Sequence, residues 1–388
     1  MREFLTGNQA VVRGAVRAGC NFFAGYPITP ASSILSDMVS AFADGTGVAI
    51  QTEDEIAAIG QCIGAAMAGA KALTASSGPG LSLYSENIGL AQMGEVPLVI
   101  VNCQRMGPAT GGATATGEGD VLFARHVTAG GYPLPVLAAT DASSAYWLTY
   151  EAFNIAERLR TPVIVLLSKD ISLTRQTADL NAIPLSPRAD RLVASPTATY
   201  QPYKIAHSAD TPLFLPIGGS RQVRFTGSIH DENAVLTADR EKIARKLTHL
   251  RDKILSRSES LAYVEADCEA DASALIISYG LADGASRDAV KELRANSIAV
   301  SHLTLYSLWP VPERAIAEAL SSRIDRVLVP EYNIGLYADE LRRVIRKVPV
   351  ESIQRFDGGL ISPQVIVDHI TRFGSQKAQT KAVCTCPS

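Results

Sequence analysis

The chain has 388 residues, a net charge of −3, 47% apolar and 19% charged residues. That is long enough for two or three domains, apolar enough for sizeable cores, and without the basic cluster a nucleic-acid partner needs. No stretch of about 18 residues is apolar and uncharged enough to span a bilayer, and Met1-Arg2-Glu3-Phe4 does not open a secretory signal, so a cytoplasmic protein with no membrane or nucleic-acid partner is expected.

In chain order, the first informative segment is Tyr26-Pro27-Ile28-Thr29-Pro30. Pro27 and Pro30 fix φ and force extended neighbours, which makes a rigid turn with a hydroxyl at its tip. Thr29 suits substrate orientation; the other reading is an ordinary βα turn in which Thr29 or Ser32 caps the next helix. Val48–Gln51 reads as a strand and Ile56–Lys71 as a helix opened by Glu53-Asp54-Glu55. Its small residues Gly60, Gly64, Ala68 and Gly69 let another backbone approach, from this chain or a partner. Glu55 has two readings: a solvated acid at the positive end of a helix, or a buried carboxylate whose proton sits on a cofactor nitrogen.

Ala72–Ala75 reads as a strand, followed by a Gly-Pro-Gly turn at Gly78–Gly80. Ser76-Ser77-Gly78-Pro79-Gly80 resembles a phosphate cradle but lacks the Lys-Ser/Thr of a P-loop; packing against a neighbour is its other reading. Leu83–Met93 is a helix and Pro97–Asn102 a strand. Arg105 then sits at a strand's carboxyl end, where open α/β sheets bind ligands, and arginine grips carboxylates as a fork. A surface arginine is the alternative. Gly107–Gly119, nearly all Gly, Ala and Thr, could line a pocket, and Glu118-Gly119-Asp120 lacks the pattern of a Mg-diphosphate site. Pro135–Ala138 (strand), Ser143–Leu159 (helix) and Pro162–Leu167 (strand) complete an alternation that predicts a parallel sheet covered on both faces.

Asp179–Gly227 is proline-rich and aperiodic, a long connection over the surface. Asp239–Ser256 reads as a helix whose basic residues, among them Lys242, Arg245, Lys246 and Lys253, form a solvated face. A second, smaller doubly wound unit follows: strands Ala274–Ser278, Ser297–Leu303 and Val327–Val329, with helices Gly284–Ala295, Glu313–Leu320 and Leu336–Lys347. The expected domains are 1–178, a connecting segment 179–268, 269–372, and a flexible tail 373–388. Six cysteines show no paired spacing, which argues against a disulfide framework and leaves no set of four thiolates for a cluster; Cys384-Thr385-Cys386 reads as solvated tail. Six dispersed histidines suggest no metal site.

The stretches GYPITP (Gly25–Pro30), QTEDEI (Gln51–Ile56), ASSGPG (Ala75–Gly80), Glu86-Asn87 and QRMGP (Gln104–Pro108), then TGSIHDE (Thr226–Glu232), Tyr279–Gly284, LWPVP (Leu308–Pro312) and EYNIG (Glu331–Gly335), carry a resemblance. Over about residues 5–370 the chain resembles the α subunit of thiamine diphosphate-dependent 2-oxoacid:ferredoxin oxidoreductases. The resemblance implies a pyrimidine-type, thiamine-binding, doubly wound parallel-sheet domain followed by a smaller α/β domain like the transketolase C-terminal domain. It implies that Glu55 hydrogen-bonds the aminopyrimidine and favours the imino tautomer that deprotonates the thiazolium. Thr29 and Arg105 would hold the substrate carboxylate, and Tyr26, Pro27, Ile28, Ser77, Gly78 and Asn87 would contact the cofactor. Mg2+ and a [4Fe-4S] cluster would belong to a β subunit, in an αβ or (αβ)2 assembly acting on a 2-oxoacid, CoA and ferredoxin; this chain would hold no metal and be inactive alone. A non-redox thiamine-dependent decarboxylase or ligase is the alternative. Gly111–Glu118 lacks the Pro and Lys or Gln usual in 2-oxoglutarate-selective relatives, which leaves room for a bulkier or apolar substrate side chain.

Overall fold

The computed structural model describes residues 2–195, 197 and 199–372. The expected tail, with Cys384 and Cys386, lies outside the described residues. The first unit runs β1 (Glu3–Thr6), α1 (Gly7–Ala18), β2 (Phe22–Gly25), α2 (Ser32–Ala41), β3 (Val48–Gln51), α3 (Glu55–Met67), β4 (Ala72–Ser76) and α4 (Gly78–Met93). It continues through β5 (Leu98–Gln104), α5 (Val121–Arg125), β6 (Val136–Ala138), α6 (Ala142–Leu159), β7 (Pro162–Ser168), α7 (Lys169–Leu173) and β8 (Arg175–Ala178). The connection carries α8 (Arg240–Leu255). The second unit runs β9 (Val264–Asp267), β10 (Ala274–Ser278), α9 (Ala282–Ala295), β11 (Val300–Leu305), β12 (Ser307–Trp309), α10 (Glu313–Ala319), β13 (Arg326–Glu331), α11 (Leu336–Val344) and β14 (Val350–Gln354).

The central sheet has seven strands in the order β12-β6-β7-β5-β4-β2-β3. Strands β4, β5 and β7 are buried along their whole length, as strands of a sheet covered on both faces must be. One face is covered by α1, α2 and α6. The other is covered by α3 and α4, whose Ile59, Leu81 and Ile88 share a core with Leu303, Trp309 and Tyr337 of the second unit. Because α2 leaves β2 on one face while α4 leaves β4 on the other, the winding reverses between neighbouring strands β2 and β4. A crevice opens at the carboxyl ends of such strands. The second sheet, β14-β13-β10-β11-β9, is parallel except for β9. No helix among the described residues is long and apolar enough to cross a membrane.

Four expectations are corrected. Gly78-Pro79-Gly80 is the first turn of α4, with Ser77 as N-cap, because proline in a first turn loses no intrahelical bond. Neither Thr29 nor Ser32 caps α2; Ala31 does, with no side-chain bond. The basic face of α8 is not all solvated: Lys246 and Lys253 are buried, each paired with Glu95. Finally, β12, within the stretch expected to belong wholly to the second unit, pairs antiparallel with β6 and forms the edge of the first unit's sheet.

Candidate active site

Glu55 is placed by its neighbours. The Asp54 side chain accepts from Ala57 N at 2.7 Å and caps α3, and Thr52 N donates to Gly25 O at 3.0 Å, tying the end of β3 to that of β2. Glu55, the first helical residue, turns inward and is only 5% exposed. Its carboxylate has no hydrogen-bond donor among the described residues and lies over the start of α4. A Cβ on Gly80 would stand 2.8 Å from Glu55 Oε1 and would also run into Ser76 Oγ. The glycine therefore keeps the carboxylate seated. Of the triplet, Glu53 is the solvated acid.

Beside it, Ser77 Oγ is buried without a hydrogen-bond partner among the described residues, so the first turn of α4 presents both a hydroxyl and its free N–H groups. A Cβ on Gly78 would stand 3.2 Å from Asp120 Oδ2. Asp120 accepts from Asn102 Nδ2 at 2.8 Å, and its backbone N donates to Gln104 Oε1 at 3.1 Å. Burial raises the pKa of the Asp120 carboxyl against the opposing pull of Asn102 and then Arg105.

Arg105 is buried, not at the surface. One terminal nitrogen donates to Thr29 O at 2.7 Å and the other to Thr110 O at 3.2 Å, while Nε has no partner among the described residues. The guanidinium thus ties the loop after β2 to the loop after β5. Three of its five N–H groups remain for another acceptor. The Thr29 and Tyr26 side chains are exposed, as is Pro27, and Ile28 is half-buried. Asn87 is half-buried on α4, seven residues beyond Gly80 and so on the same face about two turns away.

The second unit closes the far side. Glu118 N donates to Tyr332 O at 2.9 Å, and Asn333 Nδ2 donates to Glu118 O at 3.1 Å. Leu281 N donates to Glu118 Oε1 at 3.0 Å, leaving Oε2 buried and unpartnered. Burial, with Asp170 and Glu331 adding to it, pushes this carboxyl up to about 8. Tyr279 Oη donates to Glu331 at 3.0 Å and accepts from Asn333 at 2.8 Å. The segments Tyr279–Gly284 and Glu331–Gly335 therefore hold the loop that seats Arg105.

The structure gathers Glu55, Ser77, Gly78, Arg105 and the Thr29 backbone around one crevice; Asn87 lies farther along α4. Sequence reasoning missed Asn102 and Asp120, whose signal was their position at a strand's carboxyl end and in the loop beyond it. No group of three or more metal-ligating side chains occurs among the described residues.

Residues 13–248 match the family described as pyruvate flavodoxin/ferredoxin oxidoreductase, thiamine diphosphate-binding. The chain belongs to this family. Residues 272–366 match pyruvate:ferredoxin oxidoreductase core domain II. The 2-oxoglutarate synthase subunit KorA of Archaeoglobus fulgidus is 39% identical over 94% of this chain and 97% of its own length. The 2-oxoacid:ferredoxin oxidoreductase 1 subunit alpha of Aeropyrum pernix is 34% identical over 84% of this chain but 53% of its own. Among solved structures, 2-oxoglutarate:ferredoxin oxidoreductase from Magnetococcus marinus, with 2-oxoglutarate, coenzyme A and succinyl-CoA bound, superposes with a TM-score of 0.87 at 30% identity. It covers 96% of this chain, which spans 65% of that one. An inactive split-gene transketolase shares the fold, with a TM-score of 0.53 at 12% identity.

Proposed function

We propose that this chain is the α subunit of a 2-oxoacid:ferredoxin oxidoreductase. With a β subunit it converts a 2-oxoacid and CoA to acyl-CoA and CO2 and passes electrons to ferredoxin. The observation that carries the reading is Glu55, a residue only 5% exposed whose carboxylate lies over the start of α4 at the switch-point crevice and makes no hydrogen bond among the described residues. A carboxylate with free acceptor sites at that place can pair with a proton-bearing nitrogen, and the ring nitrogen of the aminopyrimidine half of thiamine diphosphate fits it. When bound, the cofactor supplies the carbon nucleophile and electron sink for loss of CO2.

The chain's own residues prepare the crevice for that chemistry. Glu55 holds a proton at the ring-nitrogen position, and Gly80 keeps the space beside it open. Tyr26, Pro27 and Ile28 on the loop after β2 and Ser77 and Gly78 at the start of α4 surround the ring, and Asn87 contacts the cofactor from farther along α4. Arg105 locks the Thr29 loop and retains N–H donors for the substrate carboxylate. Thr29 offers its exposed hydroxyl to the same group.

The β subunit supplies the opposite wall, the Mg2+ and the [4Fe-4S] cluster, in an αβ or (αβ)2 assembly in the cytoplasm. Support comes from the outward faces of α3 and α4. Ile56 and Leu83 are 49% and 46% exposed, and a Cβ on Gly60 or Gly64 would meet nothing within 4 Å. Among the described residues, Gly60 and Gly64 on α3 therefore face open space.

The test is ferredoxin reduction by the purified αβ complex with CoA and a panel of 2-oxoacids: 2-oxoglutarate, pyruvate, and branched and aromatic 2-oxoacids. Reduction with at least one of them, together with iron–sulfur absorption, is expected. CO2 release without ferredoxin reduction by a cluster-free complex would instead identify a non-redox decarboxylase.

A further inference from the structure

The segment Thr226–Glu232 forms no wall of the crevice. It lies at the other end of α4, where Phe225 covers Gly94 and Tyr203 Oη donates to Gly94 O at 3.2 Å. The 16 residues of α4 put this end about 24 Å from Ser77. Here the segment and α8 enclose a cleft of about 310 Å³.

The floor of the cleft is a buried layer of charge. Glu95 is fully buried and accepts from Lys246 Nζ at 2.6 Å, Lys253 Nζ at 2.7 Å and His249 Nε2 at 2.9 Å. Arg160, also buried, donates among the described residues to carbonyl oxygens alone: Glu95, Pro202, Pro212 and Leu213. One carboxylate thus faces two lysines and a guanidinium. The carboxyl ends of α4 and α6 each contribute about half a negative charge, which leaves about one positive charge without counting His249. At the rim, Lys242 pairs with Asp231 at 3.2 Å, whereas Lys204 and Arg245 have no ion pair among the described residues and face the single acid Glu232. A desolvated cationic surplus calls for an anion.

His230 adds a directional requirement. It is 1% exposed and lines the cleft. Its Nδ1 lies 2.7 Å from Ser228 O, an acceptor, so Nδ1 carries the proton. Burial, with Lys246 beside it, holds the ring down to about 4, so it is neutral near pH 7. Nε2 is then a buried lone pair, and no partner among the described residues reaches it. A fully ionised anion leaves that lone pair unsatisfied, and Lys204, Arg245 and Lys246 around the cleft repel a metal cation that could otherwise take it.

We infer that this cleft binds a small oxyanion bearing an O–H: hydrogen phosphate, or the monoanionic phosphate group of a phosphomonoester. Its charge sits between Arg245, Lys204 and Lys246, and its O–H donates to His230 Nε2. Nothing in this assignment depends on the chemistry of the crevice.

The test is calorimetric titration of the αβ complex with inorganic phosphate, glycerol 3-phosphate and sulfate at fixed ionic strength, which removes general screening. Saturable binding of phosphate or glycerol 3-phosphate, weak or absent for the proton-free sulfate, is expected; whichever binds tighter identifies the free ion or the ester as ligand. Lys204 and Arg245 are exposed, so the K204A/R245A double variant folds. It should bind about tenfold or more weakly, the loss of at least one charge-assisted contact. No saturable binding, sulfate binding as well as phosphate, or undiminished binding by the double variant would each overturn the assignment.

Discussion

At the scale of single residues, the crevice makes sharp demands. Glu55→Gln keeps the shape and removes the acid, so turnover should fall roughly 10²–10⁴-fold, the usual worth of a positioned proton-transfer group, while the complex still assembles on size exclusion; near-normal turnover would remove the proposed role. Arg105→Lys cannot hold the carbonyls of Thr29 and Thr110 together, because a point charge replaces a planar fork. Steady-state kinetics should show KM for the 2-oxoacid rising more than kcat falls. Gly80→Ala forces a methyl against Glu55 and Ser76 and should cost about 1–3 kcal/mol of stability as well as activity.

Glu118 gives a pH dependence of opposite sign to that of an ordinary salt-bridged acid. Its folded value, about 8, lies above the ordinary 4.5. The folded state therefore favours the proton. The contribution is fully present below about pH 4.5 and is lost as pH rises through about 8. Glu118→Gln, neutral at every pH, should flatten that loss. Its Tm relative to the native protein should rise between pH 5 and pH 9; a constant difference would show that Glu118 does not titrate with folding.

At the scale of elements, α8 carries the clearest lesson. Its charge pattern resembles a solvated helix, yet Lys246 and Lys253 point inward because Glu95 waits there, 151 and 158 positions earlier in the chain. A local pattern cannot show a partner that distant. Burial disfavours the Glu95 carboxylate, but Lys246, Lys253 and His249 outweigh it and hold its pKa well below the usual range. Glu95→Gln leaves those cations buried and underpaired and should cost roughly 3–5 kcal/mol in denaturant titration. By contrast, the strands β3, β4, β5 and β7 were legible as short apolar runs, and Glu55 and Arg105 as charged residues at the start of a helix and the end of a strand. What the sequence hid was orientation. Nothing local says that Arg105 grips two backbone carbonyls, whereas Ser77 followed by Pro79 in the first turn was a local helix-start signal that the turn reading passed over.

At the scale of the whole molecule, the two units are not separable. Their apolar residues form a common core around Ile59, Leu303 and Trp309, and β12 of one completes the sheet of the other. A fragment ending at residue 262 would expose that core face and leave β6 as an unpaired edge. It should aggregate or bind hydrophobic dyes where the full chain does not; a monomeric, cooperatively melting fragment would contradict this.

The strand at Ser307–Trp309 also sets a schedule for synthesis. While the chain is being translated, the thiamine-type sheet lacks its last strand until Trp309 has cleared the ribosomal exit tunnel, more than a hundred residues after β7 was made. For that interval the nascent N-terminal half carries an open seam, which makes it a natural client for chaperones. Stalled nascent chains should therefore gain protease resistance only once the stall site lies well beyond residue 309.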